Sequence, residues 1–481
     1  MTTAERCLRK FGWVLATLML AGCAVGPDYQ RPVVDVGAQY RAVAGWTPAR
    51  PADDALPADW WRLFNDPALD QLMQDVLVSN QTIAQVEAQY RQAQALLRAS
   101  GALFFPVLGV DAGVTRSRSG QADATRQYNL GGSVTWEADL WGRIRRTVEA
   151  DRAQVQASSA ELAATRLSVQ STLAQTYFRI RAYDAERRLL DQTIAAYERS
   201  LQMTRNRFDA GVASQLDVSS AQVQLENALT QRLALDRQRA QLEHALAVLV
   251  GKAPSAFQLD EARVWVDVPE VPAGLPSQLL QRRPDVAAAE RRVAAANAEI
   301  GVAQSAWFPD LTLSAQGGFR SGQWAQWLTA PFSFWSVGPA LAMTLFDGGA
   351  RSARVDQARA QYDADVAAYR QTVLTALQEV EDYLVAISGL GREQLSQGRA
   401  LAAARESLRL TRNQYEAGLI DYLSVVQVET SALSAEREAI SLGADRLIAS
   451  VQLMAALGGG WQVDTPQDTA IEVITPEAAV R

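Results

Sequence analysis

Apolar residues recur at every seventh position over stretches much longer than an ordinary globular helix. Val148, Val155, Leu162, Val169, Thr176, Tyr183, Leu190 and Tyr197 hold one such register. Val355, Tyr362, Tyr369, Ala376 and Tyr383 hold a second, accompanied by Val366, Val373, Val380 and Ile387. Val426, Leu433, Ile440, Leu447 and Met454 hold a third. Sustained heptads predict helices that supercoil left-handedly against neighbours. The first predicted helix covers roughly 144 to 209, which at 1.5 Å per residue is about 100 Å. The return helix, roughly 214 to 250, covers about 55 Å, and a helix near 284 to 306 with its approach adds about 45 Å. Two short helices stacked end to end thus match one long one. Gly389, Gly391 and Gly398 are expected to interrupt the second long helix beside the Pro-rich link 251–276.

Between the helices the period drops to two. Leu108, Val110, Ala112 and Val114 alternate with Gly109, Asp111, Gly113 and Thr115, and Leu130 to Leu140 alternates likewise with Gly, Ser, Thr, Glu and Asp. Leu311, Leu313 and Ala315 oppose Thr312, Ser314 and Gln316. Val337, Leu341, Met343 and Leu345 oppose Ser336, Gly338, Ala340, Ala342 and Thr344. One apolar face and one small or polar face, with about ten residues per strand, is the pattern of an outer-membrane barrel. Phe104, Phe105, Trp141, Trp307, Phe308, Trp335 and Phe346 crowd the strand ends as an interfacial girdle would. Four strands cannot close a barrel, and an open edge in lipid leaves backbone groups unpaired, so the chain is expected to oligomerise.

The layout occurs twice. Thr204-Arg205-Asn206-Arg207-Phe208-Asp209-Ala210-Gly211-Val212 returns as Thr411-Arg412-Asn413-Gln414-Tyr415-Glu416-Ala417-Gly418-Leu419, and Phe105-Pro106 returns as Phe308-Pro309. Two markers about a hundred residues apart keep nearly the same offset, so the whole unit is duplicated. The expected divisions are 1–22 as a signal peptide, 23–66 as an extended N-terminal segment, and 67–250 as the first repeat. An equatorial linker at 251–276, the second repeat at 277–457 and a tail at 458–481 complete the chain.

The signal peptide rests on Arg6, Arg9 and Lys10 ahead of a short apolar stretch from Phe11 to Leu20, which is too short to span a bilayer as a helix. It ends in Leu20-Ala21-Gly22-Cys23, which resembles the bacterial lipoprotein signal, so Cys23 is the expected lipidation site. Cys7 leaves with the signal and no disulfide is possible. No apolar run of 18 or more residues remains, so no spanning helix is expected. The formal net charge of −7 and the absence of a basic block exclude a nucleic-acid partner. No enzyme is expected, and no cofactor or metal. The single histidine, His244, sits in a heptad helix, and neither a Gly-x-Ser-x-Gly elbow nor a Cys-His pair is present.

Several stretches name a family. Cys23-Ala24-Val25-Gly26-Pro27-Asp28-Tyr29-Gln30-Arg31-Pro32, Trp60-Trp61 followed by Phe64-Asn65-Asp66-Pro67, and Trp136 through Arg146 are three of them. Arg282-Arg283-Pro284-Asp285-Val286 with Glu290-Arg291-Arg292, and Leu457-Gly458-Gly459-Gly460-Trp461, are the others. Together they resemble the outer-membrane factor family, the TolC-like and NodT-like exit ducts, over the mature chain to about Trp461. The resemblance implies an α+β membrane protein. It would be a homotrimeric 12-stranded barrel, four strands per chain, continued by a long α-helical coiled-coil periplasmic tunnel. It implies a passive outer-membrane exit for small toxic compounds, partnered by a periplasmic adaptor and an inner-membrane transporter, commonly proton-driven. Two alternatives stand beside this reading, the duct of a type I protein secretion system and a periplasmic coiled-coil spacer lipoprotein.

The resemblance also places the periplasmic tips at the turns holding Gly211 and Gly418. Members of the family often carry aspartates just past the second turn, at positions matching Ser424 and Gln427, and this chain has neither carboxylate there. Asp217 and Asp421 are the remaining gate candidates, each equally readable as a helix cap.

Overall fold

The computed structural model describes residues 24–34, 59–121, 123–261, 268–269 and 282–461. The expected signal peptide, Cys23, much of the linker and the tail beyond Trp461 lie outside them. In chain order the longer elements are α1 (Pro67–Ser79), α2 (Gln81–Gly101), β1 (Val107–Ser117), β2 (Thr125–Ala138), α3 (Arg143–Asp209) and α4 (Gln215–Leu249). They continue with α5 (Pro284–Ser305), β3 (Asp310–Ser321), β4 (Ser333–Ala342), α6 (Ala350–Glu416) and α7 (Tyr422–Ala456). The duplication is explicit in the lengths: α3 and α6 each hold 67 residues, and α4 and α7 each hold 35. At 1.5 Å per residue the long pair measure about 100 Å each.

Two expectations are corrected and one is qualified. The helix α6 runs unbroken through Gly389, Gly391 and Gly398. A glycine inside a helix costs only about 1 kcal/mol, which the rest of so long a helix absorbs. Strand β4 begins earlier than expected and stops at Ala342, leaving Met343 and Leu345 outside it, because its partner β3 begins only at Asp310, just after Pro309. By length and composition α7 does qualify as a membrane span, with a mean hydropathy of 1.2 over its most apolar stretch. That stretch is 61% buried inside the protein, the mark of a core helix.

The chain forms two compact units. The first takes in the described parts of Met1–Val34, Ala88–Ala160 and Ala287–Gln371 and contains the sheet. All four strands are antiparallel in the order β1-β2-β3-β4, so both outer edges are unpaired within the chain. The strand-to-helix corners are built alike in both copies. Asp139 accepts from the Ile144 and Arg145 amides at 3.0 and 2.9 Å, and Asp347 accepts from the Gly349 and Arg351 amides at 3.1 and 3.0 Å. A carboxylate over the first turn satisfies donors that have no partner within the helix. Residues 24–34 lie along this unit. The Val25 amide donates to the Trp141 carbonyl at 3.0 Å, Asn297 donates to the Pro27 carbonyl at 2.9 Å, and the Tyr29 hydroxyl donates to Glu290 at 2.6 Å. Burial first, and that hydrogen bond second, raise the Tyr29 phenol above its ordinary range.

The second unit takes in the described parts of Asp35–Glu87, Glu161–Val286 and Thr372–Arg481. Its main core packs Trp60, Trp61 and Phe64 against Tyr177, Phe178, Leu447 and Met454. Asp66 caps α1 through the Ala68 and Leu69 amides and accepts the Tyr177 hydroxyl at 2.6 Å, with Pro67 at the first helical position. The heptad positions Tyr197, Val380, Leu447 and Met454 are buried as their spacing predicts. Asp184 is fully buried and bridges Arg181 at 3.1 Å and Arg239 at 2.6 Å, and those two arginines donate in turn to the Asp260 and Leu259 carbonyls. Taking Asp184 away would leave the buried Arg181 charge without an ion-pair partner.

Candidate functional site

Two features are the candidates to carry function, the sheet in the first unit and the helix turns in the second. Direct cross-strand partners share a face, so the register reads the faces of the sheet row by row. Leu108, Val134, Ala315 and Val337 form one row, and Val110, Gly132, Gly317 and Trp335 the next. On the other face Gly109, Ser133, Gln316 and Ser336 align, as do Asp111, Gly131, Gly318 and Phe334. Val110 is 85% and Trp335 81% exposed. An apolar face of this size left open to water is not the surface of a free-standing soluble domain. Past the inner ends of the strands, Trp141 stacks on Phe308 at 4.8 Å and donates its indole N–H to the Pro309 carbonyl at 2.8 Å.

Both turns end their long helix in the same way. The Val212 amide reaches the Arg207 carbonyl at 2.9 Å and the Gly211 amide the Phe208 carbonyl at 2.8 Å; Leu419 to Gln414 and Gly418 to Tyr415 repeat the pattern, both at 2.9 Å. This is a Schellman cap, which needs a left-handed residue, and Gly211 and Gly418 supply it with φ of +75° and +73°. The gate candidates lie on the return helices. Ser214 and Asp217 form a reciprocal capping box at the start of α4, and Asp421 caps α7 by accepting from Ser424. The Ser424 hydroxyl, and after it the Ser424 amide, hold the Asp421 carboxyl below its usual range. Gln427 is exposed one turn further along α7.

Sequence reasoning missed what lies beneath the turns. Tyr197, Leu201, Tyr415, Tyr422, Val425 and Val426 pack together, and the Arg207 guanidinium stacks over the Tyr415 ring at 4.7 Å. Beside them Glu429 is buried, accepts from Arg412 at 2.8 Å, and has its second oxygen buried without a partner. Burial raises the Glu429 carboxyl, against the opposing effect of Arg412. The one available signal was a glutamate at a position where heptad packing continues on either side.

A family model described as outer membrane efflux protein matches this chain twice, over residues 72–252 and 275–459. The chain belongs to that family. Among relatives, the toluene efflux pump outer membrane protein TtgC of Pseudomonas putida is 33% identical over 94% of this chain and 96% of its own length. The pyoverdine export outer membrane protein OpmQ of Pseudomonas aeruginosa is 31% identical over 95% of this chain and 98% of its own. Among solved structures, the outer-membrane channel OprN superposes with a TM-score of 0.84 at 31% identity, covering 92% of this chain and all of that one. This outer membrane efflux protein is therefore a channel component of an efflux system. Its α+β fold carries four strands per chain.

Proposed function

We propose that three copies of this outer membrane efflux protein close a single 12-stranded barrel, continued into the periplasm by their supercoiled long helices as a passive exit duct. The observation that carries this reading is a four-stranded sheet with two unpaired edges and one continuous apolar face. In lipid every edge must be paired, and a barrel of eight strands is filled by its own side chains, whereas wider barrels leave a lumen. The small and polar face of Gly, Ser, Thr and Gln then lines water.

The duct works with a periplasmic adaptor and an inner-membrane transporter that supplies the energy. Small toxic compounds are the cargo class; toluene and pyoverdine, named for two relatives, differ too widely to specify one. The anchor is an acylated Cys23, which lies outside the described residues. Its neighbour Ala24 sits so close to Gly142 that a side chain there would stand 2.8 Å from the Ala24 methyl. That contact supports a lipid attached where β2 gives way to α3. Mass measurement of the full protein, solubilised from membranes in detergent, tests the assembly. A particle of three mature chains is expected, and a stable monomer with an intact sheet would overturn it.

A further inference from the structure

The apolar face of the sheet ends in an uncompensated pair of positive charges. Following it from the helices toward the hairpin ends, Leu108 pairs with Val134, Val110 with Gly132, Ala112 with Leu130, and Val114 with Tyr128. The next pair on the same face is Arg116 directly opposite Arg126. Like charges in directly opposite positions, with Cβ atoms about 5 Å apart, destabilise a strand pair. Two other arginines at the strands and their ends are compensated: Arg143 is bonded to Glu137 at 2.5 Å, and Arg320 lies over the Phe334 ring at 4.7 Å. Arg116 and Arg126 are exposed, and among the described residues neither makes an ion pair, even with Asp123 in the connecting turn. Arg118 adds a third exposed positive charge beside them.

Their depth is defined by the row before. Tyr128 packs edge-on against Trp324 at 5.3 Å and Trp327 at 6.0 Å, and those two indoles stack on each other at 5.4 Å. Clustered Trp and Tyr rings on a lipid-facing surface mark the headgroup level. Two residues further along a strand is about 7 Å, which carries the arginines out of the acyl region and into the layer where lipid phosphates lie.

We propose that Arg116 and Arg126 form a cross-strand clamp for the phosphate of a phosphorylated glycolipid in the outer leaflet. The inference rests on the barrel reading above, which makes this face lipid-facing and the hairpin end outermost. Paired guanidinium forks match a phosphate bidentately, and a bound dianion turns the repulsion within the pair into attraction toward a shared ligand. Apolar rows beneath receive the acyl chains of the same molecule, which a free anion would leave untouched.

The test uses the full protein purified in mild detergent, with bis-phosphorylated lipid A as the probe and binding read by native mass spectrometry. The dephosphorylated lipid and inorganic phosphate are the comparison arms. The expected result is retention of the phosphorylated lipid, with affinity reduced about tenfold or more in Arg116→Gln/Arg126→Gln. Arg126→Glu places a glutamate opposite Arg116 and favours strand pairing, so it should bind no lipid while the protein stays as heat-stable as the wild type or more so. Equal lipid retention by wild type and both variants would overturn the clamp, as would full competition by inorganic phosphate. Single-channel conductance is recorded in parallel. Unaltered conductance in the variants leaves the channel reading standing whatever the lipid result, whereas a wild type that never conducts counts against the channel reading itself.

Discussion

Ser214 and Asp217 cap each other: the Asp217 amide donates to the Ser214 hydroxyl oxygen at 3.2 Å while the Ser214 amide donates to the Asp217 carboxylate at 2.8 Å. In the second copy the two residue types have changed places. Asp421 stands where Ser214 does, and Ser424, in the place of Asp217, donates its amide at 3.0 Å and its hydroxyl at 2.6 Å. Each cap therefore keeps one carboxylate, bound to the start of its return helix.

In the duct proposed above, carboxylates occupied in this way would be poor ligands for a cation at the periplasmic mouth, and the exposed Gln427 is neutral. Divalent ions added from the periplasmic side should inhibit conductance only weakly. Gln427→Asp would place a ring of like charges around the axis and should strengthen the block. Tight block of the wild type, unchanged in the variant, would place the gate charge elsewhere.

Gly211 and Gly418 have open space where a Cβ would go, so substitution there tests the backbone alone. Alanine at either position should cost about 1 to 2 kcal/mol through its forced left-handed conformation. Faster amide exchange confined to the residues of that turn is the expected readout, and an unchanged exchange rate would show that the cap does not need glycine.

Glu429 gives the second unit a pH dependence. Burial raises its folded-state pKa above the unfolded value, so between the two the native protein holds a proton that the unfolded chain has lost. Stability is therefore fully present below the ordinary carboxyl range and declines as pH rises through the raised value. Glu429→Gln should flatten that slope while keeping a contact with Arg412. The measurement is the pH dependence of amide protection in α7 near Glu429, and parallel profiles for variant and wild type would contradict it.

The heptads and the strand alternation were legible in the sequence because each is enforced over many residues by one buried or apolar face. Val380 and Met454 lie in the core where their spacing put them, and Val110 and Val337 share the face that alternation assigned. The helix-turn glycines were legible because only glycine adopts that backbone freely. Strand β4 was misplaced because its limits are set by the reach of β3 rather than by its own residues. The pairs Asp184 with Arg239 and Arg412 with Glu429 join different helices, and a one-dimensional pattern contains nothing that couples them.

Cys23 should carry the lipid. Mass spectrometry of the mature N-terminal peptide should find a cysteine carrying a diacylglycerol on its thiol and an acyl group on its amine, followed by Ala24, and an unmodified Cys23 would remove the anchor. The barrel should still hold a protein lacking the lipid in the membrane.

The most direct test of the duct is single-channel recording of the purified protein in planar bilayers, made on the same preparation whose mass is determined. Discrete, long-lived ohmic openings from particles of three chains are predicted. A preparation with intact sheet and helix content that inserts yet carries no current, or that conducts as a monomer, would contradict the account.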